Sequence, residues 1–176
     1  MHSSKNGHSG LSKKHTSKMN EKHKFGMSKN HYFLLLLMAI LSFVSMYVLM
    51  YAMVDTFDNV YNNLNQFYMA LLMTAPMVLI EVSLMRSMYG KKKWNLIIIA
   101  VSIIVLVASF TFIRQQTAIN DEQFLRSMIS HHASALLMCE KADINDPEVK
   151  QLCEEILSSQ QEQIDQMKAK LNELGK

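Results

Sequence analysis

The stretch YFLLLLMAILSFVSMYVLMYAMV (Tyr32–Val54) carries no charged side chain from end to end. An α-helix of about 20 residues rises about 30 Å, the thickness of a bilayer's hydrocarbon core. Two further runs have the same character, about Phe67 to Met85 and Trp94 to Ile113. The third is also free of charge, and the second holds a single acid, Glu81, near its end. Three transmembrane helices are therefore expected. The first is too long in its apolar core, and begins too far from the start, for a cleaved signal peptide.

Charge in the flanking segments orients these helices. Residues 1–31 hold seven Lys against one acid, Glu21, and the loop Arg86–Lys93 adds Arg86, Lys91, Lys92 and Lys93. The intervening loop, Asp55–Gln66, has no Lys or Arg and two Asp. Excess Lys and Arg stay on the cytoplasmic side. The N-terminus and second loop are thus expected in the cytoplasm, with the first loop and everything after Arg114 outside. The expected location is a multi-pass membrane, with a C-terminal domain outside the cytoplasm. Basic residues beside a span set topology and touch anionic lipid. They point to a bilayer as partner and not to nucleic acid.

Beyond Arg114 the composition becomes that of soluble helix. Residues 115–176 hold eleven acids and six basic residues. Asn120 or Asp121 suits an N-cap, and a helix runs to about Ala142. Asp146-Pro147-Glu148 opens a second helix, with Asp as cap, Pro at the first helical position and Glu at the positive dipole end. It reaches about Leu174. The expected fold is all-α: a basic His-rich tail (1–30), a three-helix membrane region (31–114) and a soluble antiparallel helical hairpin (115–176). Apolar stripes are expected at Phe124, Leu125, Met128, Ile129, His132, Ala135, Leu136 and Cys139, and at Val149, Cys153, Ile156, Gln160, Ile164, Met167, Leu171 and Leu174. A two-helix unit buries little on its own, so a homodimer or higher oligomer completing a four-helix bundle is expected.

Methionine is the compositional outlier: 15 Met against 2 Cys. Thioether and imidazole ligands suit soft cations such as Cu(I) and Ag(I). Met128, His131, His132 and Met138 lie one or two turns apart, and Met167 sits about one helical turn beyond the level of Met128 across the hairpin, within reach of a long side chain. The competing reading is a core His132 satisfied by Gln160, with Met167 as ordinary core. Cys139 and Cys153 lie on facing stripes and suit a disulfide, a soft-metal site when reduced, or plain packing. In the tail, His2, His8, His15, His23 and His31, with Met19 and Met27, read as weak metal capture or simply a polar basic segment. Met69, Met73 and Met77 repeat along the second span, toward Met85 and Met88, and Met46, Met50 and Met53 mark the first. Such rows are usually packing. Glu81 is a carboxyl in a span, close enough to its cytoplasmic end to pair with Arg86 or a Lys. No nucleophile–base constellation, phosphate loop or CxxC motif occurs, so no enzymatic activity is expected.

Phe124-Leu-Arg-Ser-Met-Ile-Ser-His-His132, Met138, Asp146-Pro-Glu-Val149, Gln160-Gln-Glu-Gln-Ile164 and Met167 resemble the domain-of-unknown-function 305 (DUF305) family. The resemblance covers about residues 120–174 and implies a ferritin-like helical fold associated with copper and silver. Pro76-Met77 and Met88-Tyr-Gly-Lys-Lys-Lys-Trp-Asn95 resemble its membrane-anchored branch. Carried over by position, the metal-associated residues are Met128, His131, His132, Met138 and Met167. Two departures stand out. The chain holds one hairpin where many members hold two, and Cys139 and Cys153 replace small residues. The function implied is sequestration, handling or resistance toward a soft metal outside the cytoplasm. The alternatives are a metal-free dimerisation scaffold or a metal-transport subunit.

Overall fold

The computed structural model describes residues 31–85 and 89–175, and among these it is all-helical. The helices are α1 (His31–Met53), α2 (Leu64–Leu84), α3 (Lys92–Gln115), α4 (Asp121–Lys141) and α5 (Pro147–Leu174). The first three are long and apolar enough to cross a membrane. They coincide with the three runs expected from sequence: α1 matches to within a residue at each end, α2 begins three residues earlier, and α3 is two residues longer at each end. The N-terminal tail, with His2, His8, His15, His23, Met19 and Met27, lies outside the described residues, as do Arg86 and Met88.

Packing among the apolar helices follows membrane rules. α2 and α3 lie against each other. The side chains they bury are mostly small: Ala70, Thr74 and Ala75 on α2, Ser102 and Ser109 on α3. Lipid is as apolar as Leu, so helices associate through close backbone approach and not by hiding large side chains. The hydroxyl of Thr74 donates to the Ala70 carbonyl at 2.8 Å and so needs no partner in lipid. At the other end of α1, Leu35, Val82 and Tyr89 form a small core. Tyr32 donates to Asn95 Oδ1 at 2.7 Å, and Asn95 Nδ2 donates to the Tyr89 carbonyl at 3.0 Å. Glu81 accepts from the Tyr89 hydroxyl at 3.4 Å.

α4 begins as expected, with the Asn120 side chain accepting from Gln123 N at 2.9 Å. α5 is capped by Asp146, whose carboxylate accepts from Glu148 N at 2.9 Å and Val149 N at 3.1 Å, with Pro147 in its first turn. The two helices pack on each other through Ile129, Ala133, Leu136 and Ile164, with Leu157, Met167 and Leu171 around them.

The buried face of α4 is rotated from the expected stripe. Ala133 and Ser130 are buried, whereas Phe124 is 51% exposed. The cause lies in the first loop. Val54 and Tyr61 join the α4–α5 core, and Ser130 Oγ donates to the Asn59 carbonyl at 3.1 Å. Gln123 Oε1 accepts from Leu64 N at 2.9 Å, supplying a partner to one of the unpaired amides that open α2. Asn65 Nδ2 donates to Ser127 Oγ at 3.0 Å, and Tyr68 donates to the Thr117 carbonyl at 3.1 Å. The sequence reading used this loop only for its charge. Folded, it is the seat on which α4 rests, so part of the cover for the helix pair comes from the same chain.

Candidate functional site

The candidate residues belong to the middle of α4 and the facing stretch of α5. Helical periodicity places Met128 one turn before His132 and His131 beside it. The two imidazoles approach edge to face with centroids 6.0 Å apart. His131 is exposed, and Met128 and His132 are half-buried.

His132 is the perturbed group. Burial holds its pKa below the ordinary imidazole range, the neighbouring His131 pushes the same way, and a hydrogen bond with Gln160 of α5 opposes them. A low pKa keeps the ring neutral, the form in which a nitrogen lone pair is open to a metal. Its Nδ1 is buried and, among the described residues, has no hydrogen-bond partner. Buried polar atoms are nearly always satisfied, which sets this one apart.

The remaining candidates divide. Met167 packs against the Ile129–Ala133–Leu136–Ile164 core, on the inner side of the pair. Met138 is 52% exposed and seven residues past His131, on the same side of α4 two turns away. Cys139 and Cys153 are joined as a disulfide with Cα atoms 5.4 Å apart. Their sulfurs are therefore bonded to each other and not available as thiolate ligands in this state. Among the described residues no three His, Cys, Asp or Glu side chains converge as a metal group.

The contacts between α4 and α5 show a regularity that the sequence reading missed. His132 pairs with Gln160, and Cys139 with Cys153. Each step is seven residues, forward on α4 and backward on α5. The two layers are thus about 10 Å apart along the helices. Metal–ligand bonds of about 2.0–2.3 Å cannot bridge that span, so His132 and the sulfurs of Cys139 and Cys153 do not share one ion.

In the apolar helices Met69, Met73 and Met77 of α2 are all exposed. Met77 also lines, with Met38 and Met46 of α1, an open groove of about 510 Å³. Met38 was not singled out from the sequence, because its row with Met46 and Met77 crosses two helices.

Residues 111–175 match the family described as Domain of unknown function (DUF305). The chain is similar to "Uncharacterized protein L153" of Acanthamoeba polyphaga mimivirus, 40% identical over 144 residues, which are 80% of this chain and 92% of that protein. No solved structure matches.

Proposed function

This chain belongs to the family of that viral protein and carries a DUF305 domain over residues 111–175, and we propose that it is a membrane-anchored soft-metal binder. The reading is of copper or silver, as Cu(I) or Ag(I), held for sequestration, handling or resistance on the non-cytoplasmic side. One observation carries it: His132 is held toward its neutral form by its surroundings and has a buried Nδ1 without a partner among the described residues, beside His131 and one turn from Met128. Met167 is the ligand candidate from α5, and Met138 an outer one toward the turn.

Two further points support the orientation. Lys and Arg flank the α2–α3 loop and the start of α1 while the α1–α2 loop lacks them. Independently, the Cys139–Cys153 disulfide suits an oxidising compartment. In this reading α4 and α5 are an antiparallel hairpin, the half of a ferritin-like bundle that a second chain completes. Own-chain cover by Val54 and Tyr61 reduces the apolar area left for that second chain.

The test is titration of the full chain in detergent with Cu(I) against a competing chelator, beside His131→Ala/His132→Ala. Wild type is expected to bind at least tenfold more tightly. Equal, weak binding by both would falsify the proposal. The Gln160 hydrogen bond favours a second reading, in which His132 is an interior polar residue of a metal-free scaffold. That reading predicts a melting temperature unmoved by metal, because only a ligand that binds the folded state stabilises it.

A further inference from the structure

We propose that Cys139 and Cys153, once reduced, form a second soft-metal site, distinct from the His131–His132 site and controlled by redox state. The cysteines are held opposite each other by structure that does not depend on their bond. The turn Ala142–Asp146 is short, Asp146 caps α5 through two backbone amides, and Ile129, Ala133, Leu136 and Ile164 lock the helices together further along. Breaking the disulfide therefore leaves two thiols facing each other across the pair, on backbones 5.4 Å apart at Cα. A linear S–metal–S unit with bonds of about 2.3 Å needs sulfurs roughly 4.6 Å apart. Rotation of the two side chains about χ1 supplies that separation without moving the helices. Both cysteines are half-buried, so reductant and ion can reach them while few waters compete.

Reduction takes two electrons and two protons into the S–S bond and yields two thiols. A dithiol donor supplies both and leaves as its own disulfide. A soft monovalent ion then displaces the thiol protons and is held by two thiolates. The layer spacing of about 10 Å makes this a separate site, so oxidation empties it without touching His132. An ion released on oxidation lies two turns along α4 from His131, with exposed Met138 beside Cys139 on that path. The inference uses the soft-ligand setting proposed above, but the cysteine site stands or falls by itself.

The experiment compares Ag(I) stoichiometry of the full chain in detergent before and after reduction. The reductant is a phosphine, which becomes its oxide and is removed under inert gas; free thiols are counted by alkylation. Reduction is expected to add one Ag(I) per chain, with a new thiolate-to-metal charge-transfer absorption in the ultraviolet. Cys139→Ser/Cys153→Ser is expected to lose that increment and keep whatever the oxidised protein binds. Two free thiols with no added ion would overturn the proposal, as would an increment that persists in the double Ser variant. Half an equivalent per chain would also overturn it, since the metal would then bridge two chains. An increment on reduction, with no binding by the oxidised chain, supports this site while sinking the one at His131 and His132.

Discussion

At His132 a single ring meets two demands. Its environment favours the neutral form, so its folded pKa lies below the usual 6.5. The unfolded chain therefore takes up a proton first as pH falls, and stability rises with pH across that window. The contribution is complete above about pH 6.5 and is lost as pH drops through the folded value. The melting temperature of the metal-free protein is expected to fall more between pH 7.5 and 5 in wild type than in His132→Gln. Thermal scans in chelator at several pH values measure that difference. A second residue-scale prediction concerns Ala118, which sits at φ 61° between α3 and α4. A left-handed conformation costs a residue with a Cβ about 1–2 kcal/mol, part of which Gly returns as unfolded-state entropy. Ala118→Gly is expected to stabilise the chain by about 0.5–1 kcal/mol, readable as a rise in melting temperature.

Among the elements, α5 shows how a local signal fixes a boundary. Asp146 accepts from two amides, and Pro147 occupies a position where its missing N–H costs nothing. Asp146→Ala is expected to cost about 1 kcal/mol, with faster amide exchange at Glu148 and Val149. Boundaries like this one, and the three apolar runs, were legible because they depend on neighbouring residues alone. The buried face of α4 was less so. Periodicity found the stripe through Ile129 and Leu136 but included Phe124 and passed over Ser130 and Ala133. Ser130 is covered by Asn59, some 70 residues earlier in the chain, and Val54 and Tyr61 of the same loop pack against the core that holds Ala133. No pattern within α4 records that cover. On α5 Leu157 was passed over although it lies seven residues before Ile164, on the same helical face, and packs against the same core. For the candidate site, the sequence singled out His131, His132 and Met128 by type and spacing. It left the state of the cysteines open, because a disulfide depends on the register of two helices.

The described residues form two layers joined through the α1–α2 loop and the start of α2. Asn59 is 4% exposed, its Nδ2 donates to Asp55 Oδ1 at 2.7 Å, and its carbonyl takes the hydroxyl of Ser130. Tyr51 donates to the Tyr61 carbonyl at 2.8 Å, tying the loop to α1. Asn65 and Gln116 exchange side-chain hydrogen bonds at 3.1 Å and tie α2 to the end of α3. Removing the loop's apolar contacts should free the outer layer and leave the inner one intact. Val54→Ser/Tyr61→Ala is expected to raise amide exchange at least tenfold around Ile129–Ala133, with α2 and α3 still protected. Mass-spectrometric exchange on the full chain in detergent measures both at once. Uniform loss of protection would mean that the layers do not open separately.

The loop seat also bears on how the protein comes to be made. A ribosome finishes the segment around Asn59 well before it reaches Ser130. Until α4 arrives, Val54 and Tyr61 lack the cover it gives them, and the Asn59 carbonyl lacks the Ser130 hydroxyl. Assembly of the outer layer is therefore ordered by synthesis, with the seat laid down first and its occupant delivered last. Expressed without the seat, a fragment of α4 and α5 would carry an uncovered patch into solution, whereas the complete chain brings that cover with it.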